Sequence, residues 1–233
     1  MSAATSRVPT LLGDDGSASI ATAVMISHHG FRRDLTHFAA ALRRLQREPG
    51  ASLEVQPLQN EWVHFHNTLH GHHEAEDQRL FPGLLGQHAQ LETVIARLTA
   101  DHRQIDPILE RGNAAFAGLS VAHADPAVAV VDELTRLLWP HLALEEETLI
   151  PHMRDWKEFP APPDPAELDL IANGFAWGFD GIAPDVLEKV LAMLPPALIE
   201  KLPAARASFA ARRLRVWGPA QPATTRTPLP AGS

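Results

Sequence analysis

The chain has 233 residues, 45% of them hydrophobic and 21% charged, with a formal net charge of −8; this suits one globular core plus an extension and argues against a nucleic-acid partner, which calls for a basic face. There is no cysteine, which removes disulfides, thiolate metal sites, iron–sulfur clusters and cysteine nucleophiles, and suits a reducing cytoplasm. Tyrosine is also absent, which removes tyrosyl radicals and phenolate ligands, whereas histidine occurs 13 times, much of it clustered. No apolar run is long enough to span a bilayer and no signal-like apolar segment follows the N-terminus, so a cytoplasmic protein with no membrane partner is expected.

In chain order, residues 1–16 are expected as a flexible lead. From 17 to 47 there is no proline, and Val24, Phe31, Leu35, Phe38, Leu42 and Leu45 recur at steps of three, four and seven, the period of a helix. Pro49-Gly50 breaks it. A second helix is predicted over 57–81, with Trp62, Phe65, Leu69 and Leu80 among its apolar positions, a third over 89–116, and a fourth over 127–150 after a turn-rich stretch at 118–126. Strand patterns are almost missing. The reading is therefore all-α, a four-helix bundle spanning 17–155. Four prolines between Lys157 and Pro165 mark 156–165 as a linker. Residues 166–217 read as a helical extension, with an apolar stripe of Leu187, Val190, Leu191 and Leu194, then a helix over 197–216 whose Arg206, Arg212, Arg213 and Arg215 read as a solvated face. Residues 218–233 are expected to be disordered.

Two of these helices carry the same motif. His72, Glu76, Leu80-Phe81 and Pro82 fall at the same offsets as His141, Glu145, Leu149-Ile150 and Pro151. The first and third helices also correspond, His28, Phe31 and Leu35 matching His102, Ile105 and Leu109, so the bundle reads as a repeated helical hairpin. Residues i and i+4 lie on one helix face, about 6 Å apart along the axis, so an imidazole and a carboxylate so spaced can converge on one ion or bridge two. One helix cannot complete a coordination shell, but four helices facing one axis can. The predicted donors are His28, His72, His102 and His141 with Glu76 and Glu145, most simply two histidines per metal and both glutamates bridging. Nitrogen and oxygen donors without sulfur suit Fe, Mn, Co or Zn, and open positions on such a pair argue for redox-active iron.

These matched motifs, over roughly 18–155, resemble the hemerythrin family in its bacterial, HHE cation-binding branch. The resemblance implies an up-down-up-down bundle and a centre of two Fe ions, with an oxo or hydroxo bridge, that meets O₂, NO or peroxide. It also brings in His73, because in some hemerythrin-like iron sensors the residue after the second-helix histidine ligates. Respiratory hemerythrins place a second histidine four residues after the one on the third helix, and Asp106 stands there here, open to a role as ligand or as acceptor for an imidazole N–H. Their fourth-helix acid follows its histidine by five residues, whereas Glu145 follows by four. A more carboxylate-rich site favours the ferric state and tilts the reading toward oxidation chemistry, peroxide handling or sensing rather than reversible O₂ carriage.

His29 turns about 100° from His28 and reads as a surface residue or a neighbour of the ligands. Glu74 and Asp77 read as solvated or helix-stabilising charges, and His37 as structural. Phe31, Leu35, Leu69 and Ile105 are either the lining of a gas pocket or plain bundle core. The function expected is binding of O₂, NO or peroxide for sensing, storage or detoxification. The alternative is a di-iron oxidase or oxygenase acting on a small organic molecule, and behind it a structural role in which iron switches folding. The extension is expected to cover a bundle face or to make a homodimer contact.

Overall fold

The computed structural model describes residues 10–47, 55–159 and 165–218. The Pro49-Gly50 breaker, most of the expected lead, half of the expected linker and nearly all of the expected tail lie outside the described residues. Within them the chain is all-α, with no strand. The helices are α1 (Ile20–Arg47), α2 (Val55–Ala75), α3 (Phe81–Gln87), α4 (Glu92–Ala117), α5 (Asp125–Thr148), α6 (Leu168–Gly178), α7 (Pro184–Leu191) and α8 (Pro196–Trp217). A π-helical turn, Glu76–Leu80, joins α2 to α3, and short 3₁₀ turns precede α4 and follow α5. The helix expected over 57–81 is thus two α-helices with a wider turn between them. Pro107 and Pro140 sit inside α4 and α5 without ending them, a tolerance that neighbouring packing must supply, because each removes one helical N–H.

The described residues form two compact units, one drawn from within 1–30 and 149–209, the other from within 31–148 and 210–219. The second unit contains α2 to α5 and the larger part of α1. Its core repeats the predicted periodicity: Phe31, Leu35, Phe38 and Leu42 of α1, Trp62, Phe65 and Leu69 of α2, Leu98, Ile105 and Leu109 of α4, and Leu134, Leu138 and Leu142 of α5 are all buried. Phe38 anchors an aromatic cluster, with ring centroids 5.6 Å from Trp62, 5.8 Å from Phe65 and 5.3 Å from Phe116. Phe31 continues it toward the repeated His-Glu motif, edge-on to Phe65 at 5.9 Å and 5.1 Å from the ring of His72. Burying each such ring is worth about 1.5–3 kcal/mol.

The end of α8 belongs to the same unit. Trp217 packs on Phe38 at 5.0 Å and on His37 at 5.1 Å. That contact changes the reading of the arginines. Arg212 donates from Nε to Oε2 of the buried Glu61 at 2.8 Å, and buried Arg213 donates to the Gly218 carbonyl at 2.6 Å. Only Arg206 and Arg215 of the four keep the expected solvated position. Burial, and then the nearby Asp34, push the Glu61 carboxyl up to about 7, against the pull of Arg212.

In the first unit the backbone N–H of Ile20 donates to the Trp156 carbonyl at 2.8 Å, and Arg154 ties down the Thr10 and Leu11 carbonyls at 2.7 and 3.0 Å. His29 is buried there, with Nε2 3.2 Å from the Asp180 carbonyl. α7 ends at Leu191, so the predicted apolar stripe is helical only in part; of its members Val190 and Leu194 are buried, and Val186, outside the stripe, is buried as well.

Gly112 of α4 lies under the Trp62 indole, where an added Cβ would stand 2.0 Å from Cζ2. Trp62 is itself stacked on Phe116 at 4.4 Å and 7°, and its Nε1 donates to Asn113, so the ring has nowhere to go. Gly112→Ala gains up to about 1 kcal/mol of helix propensity but overpacks the core by about 1–3 kcal/mol. It should lower stability in urea denaturation; equal or higher stability would show that the ring relocates.

Candidate metal centre

The motif residues of α2, α4 and α5 meet inside the second unit. His73, Glu76, His102 and His141 each offer a donor atom within 4.8 Å of the others, and all four are buried. His72, Glu76 and Glu145 form another such set within the same limit. Glu76 is common to both. Its Oε1 lies 3.1 Å from His72 Nε2 and its Oε2 3.6 Å from His102 Nε2, so the two oxygens face different imidazoles. Glu145 Oε1 stands 3.6 Å from His141 Nε2. The Nε2 atoms of His102 and His141 approach to 3.3 Å, and the ring of His73 stacks on that of His102 at 4.0 Å and 12°. His28, on α1, is fully buried and lies three residues, one helical turn, before Phe31 on an unbroken helix.

Local structure explains the convergence. His72, Glu76 and the π turn put a buried acid where α2 widens, and the Phe81 N–H reaches back five residues to the Glu76 carbonyl. Such turns recur at functional sites. α5 instead stays α-helical through Glu145 to Thr148. Asp106 is outside both sets: its side chain is 47% exposed, with Oδ1 3.8 Å from His70 Nδ1. Glu74 faces solvent beside His70.

Several neighbours of the donors carry more than the sequence suggested. Asp77 accepts from His102 Nδ1 at 3.0 Å and from Thr99 Oγ1 at 3.0 Å. Asp101 Oδ2 lies 3.6 Å from His141 Nδ1. Arg32 of α1 and Glu146, the residue after Glu145, form a buried two-point ion pair at 2.5 and 3.2 Å. The signal for Asp77 was its place next to Glu76; the signal for Arg32 and Glu146 was their repeat-related spacing from His28 and His141. Neither spacing alone tells a gripping side chain from a solvated one.

Burial holds the His72 imidazole down to about 4, so it is neutral at neutral pH. Burial, and then Asp77, push the Glu76 carboxyl well above the usual range. Burial also lowers His102, against the opposing pull of Asp77. Neutral imidazoles around a carboxyl too costly to ionise alone are what a cation would repair, because its charge restores the carboxylate. Among the described residues no hydrogen-bond donor serves either Glu76 oxygen, and the donor set is nitrogen and oxygen only. The residues fit a metal.

A family model described as the hemerythrin HHE cation-binding domain matches residues 19–153. The chain belongs to this family. The matched span contains every donor named above, so the HHE domain and the buried cluster coincide. No curated protein and no solved structure matches the chain. Among the described residues no helix is long and apolar enough to cross a membrane.

Metal uptake by the HHE domain should release a proton from Glu76. With its pKa raised in the fold, Glu76 binds a proton that the unfolded chain does not, so without metal it makes the fold less stable as pH rises above the ordinary carboxyl range. Metal reverses this, and apparent affinity should climb by up to about tenfold per pH unit while Glu76 remains protonated in the metal-free protein. Calorimetry in buffers of different ionisation heat measures the released proton. Uptake with no proton released, or the same release from Glu76→Gln, would remove Glu76 as its source.

Proposed function

We propose that the HHE domain holds two iron ions on His28, His72, His73, His102, His141, Glu76 and Glu145, and binds O₂ or a related small ligand such as NO or peroxide for sensing, storage or detoxification. The observation that carries this reading is Glu76, one buried carboxylate shared between two donor sets. His73, His102 and His141 would serve one ion, and His72 with Glu145 the other. His28 is assigned to the second by helix register, because Phe31, one turn along α1, stands against His72. Glu76 would bridge, with Glu145 near enough to His141 to reach both. This departs from the simplest sequence expectation of two histidines per ion, because His73 adds a donor and Asp106 adds none.

Bound iron would supply the reversible electron donation that O₂ or NO binding requires. The chain's own residues limit what arrives. Phe31 and Phe81 are buried against the rings of His72 and His102, at 5.1 and 5.7 Å, and would limit the water that reaches the donors. A cavity of about 120 Å³ that reaches His141, between α4 and α5, is smaller than the pockets that enclose organic substrates. That favours a small ligand. The oxidase reading draws on the acids behind the imidazoles, Asp77 and Asp101, since electron-rich imidazoles favour ferric iron.

Anaerobic loading with ferrous iron should give two equivalents per chain, and exposure to O₂ should give a visible charge-transfer band. A band that fades when the gas is removed supports binding; a permanent change to the oxidised state selects the oxidase. Glu76→Ala should lose both equivalents, since both donor sets pass through it. If Glu76→Ala keeps two, the bridge assignment is wrong.

A further inference from the structure

Resting on the two-cation reading above, we infer that Asp77 is a positioning residue that makes the two metal positions unequal, favouring the one served by His102. The repeat in the sequence predicts a symmetric centre. The residue after each bridging acid breaks that symmetry. Asp77 follows Glu76, and Glu146 follows Glu145 at the matching offset. Asp77 turns to an imidazole, accepting from His102 Nδ1 at 3.0 Å. Glu146 turns instead to a guanidinium, the buried Arg32.

Two features hold Asp77 in this role. The π turn over Glu76–Leu80 winds more residues per turn, which narrows the angle between consecutive side chains below the α-helical 100°. Glu76 and Asp77 can then both face α4, and they take opposite edges of one ring: Glu76 Oε2 lies 3.6 Å from His102 Nε2 while Asp77 holds Nδ1. The second feature is Thr99, one turn before His102, whose hydroxyl donates to the other Asp77 oxygen at 3.0 Å. The carboxylate is fixed at both oxygens by residues of α4.

The chemical consequence follows. A proton held on Nδ1 leaves the Nε2 lone pair of His102 directed at Glu76 and His141, and the anionic acceptor makes that lone pair more basic. Asp101, 3.6 Å from His141 Nδ1, adds negative charge on the same side. At the matching offset in the other half, Glu146 is paired with Arg32 rather than with an imidazole. His73 increases the difference, because Leu142 occupies its position in the repeat.

Anaerobic titration with ferrous iron alone tests this. The wild-type chain should take up two equivalents. Asp77→Asn should keep one at wild-type affinity and bind the other about 10–100-fold more weakly, the usual effect of removing such a partner. Thr99→Val, which leaves the carboxylate but frees one oxygen, should weaken the same equivalent by a smaller factor and stands in if Asp77→Asn does not fold. His73→Ala should weaken that same equivalent, and combining it with Asp77→Asn should give less than the sum of the two effects, as expected for residues acting on one ion. Glu146→Gln should not change it selectively. Two equivalents bound by Asp77→Asn as in wild type, or both weakened alike, would overturn the assignment of Asp77 while leaving the two-cation reading intact. Fewer than two equivalents in the wild type would overturn that reading, and this inference with it.

Discussion

The centre of this protein depends on the cost of burying one carboxylate. Glu76 is 2% exposed and faces the imidazoles of His72 and His102, whose protonation burial disfavours, and its own pKa is driven upward. An ionised acid in such surroundings costs several kcal/mol unless a positive charge answers it. Elsewhere in the same unit the chain answers buried acids with its own cations: Glu146 has Arg32, Glu61 has Arg212, and Asp34 has Arg33. At Glu76 it supplies imidazole nitrogens instead. That contrast distinguishes a metal site from the structural ion pairs around it.

The rest of the unit can be understood as support for this arrangement. The aromatic cluster of Phe38, Trp62, Phe65 and Phe116 secures α1, α2 and α4 against one another, and Phe31 carries the packing up to His72. Gly112 is the accommodation that lets the Trp62 indole lie flat against α4. A core packed in this way resists small displacements, which matters where donors from three helices have to meet within a few ångströms. Asp77, hydrogen-bonded to His102, then orients a ring that packing alone would leave free to turn.

Symmetry in the sequence does not carry through to the centre. The hairpin repeat places His72 and Glu76 against His141 and Glu145, but the π turn occurs in only one copy, and the acids that follow Glu76 and Glu145 differ in partner, His102 for Asp77 and Arg32 for Glu146. Position +4 from the lone histidine is Arg32 in one half and Asp106 in the other. A duplicated scaffold thus surrounds its two donor sets unequally.

The sequence by itself determined the all-α class, the helix positions to within a few residues, the family, and the matched His and Glu offsets that converge in the second unit. Those are properties of periodicity and spacing, which are local and legible along a chain. It did not determine that His73 joins the donors while Asp106 turns toward His70, that Asp77 grips a ring, or that Arg212 and Arg213 leave the solvent for Glu61 and Gly218. Adjacent residues on a helix point about 100° apart, and which of them faces a partner depends on how neighbouring helices are rotated and where one of them widens into a π turn. That rotation is decided by the packing of side chains distant in sequence, so only the tertiary structure could assign it.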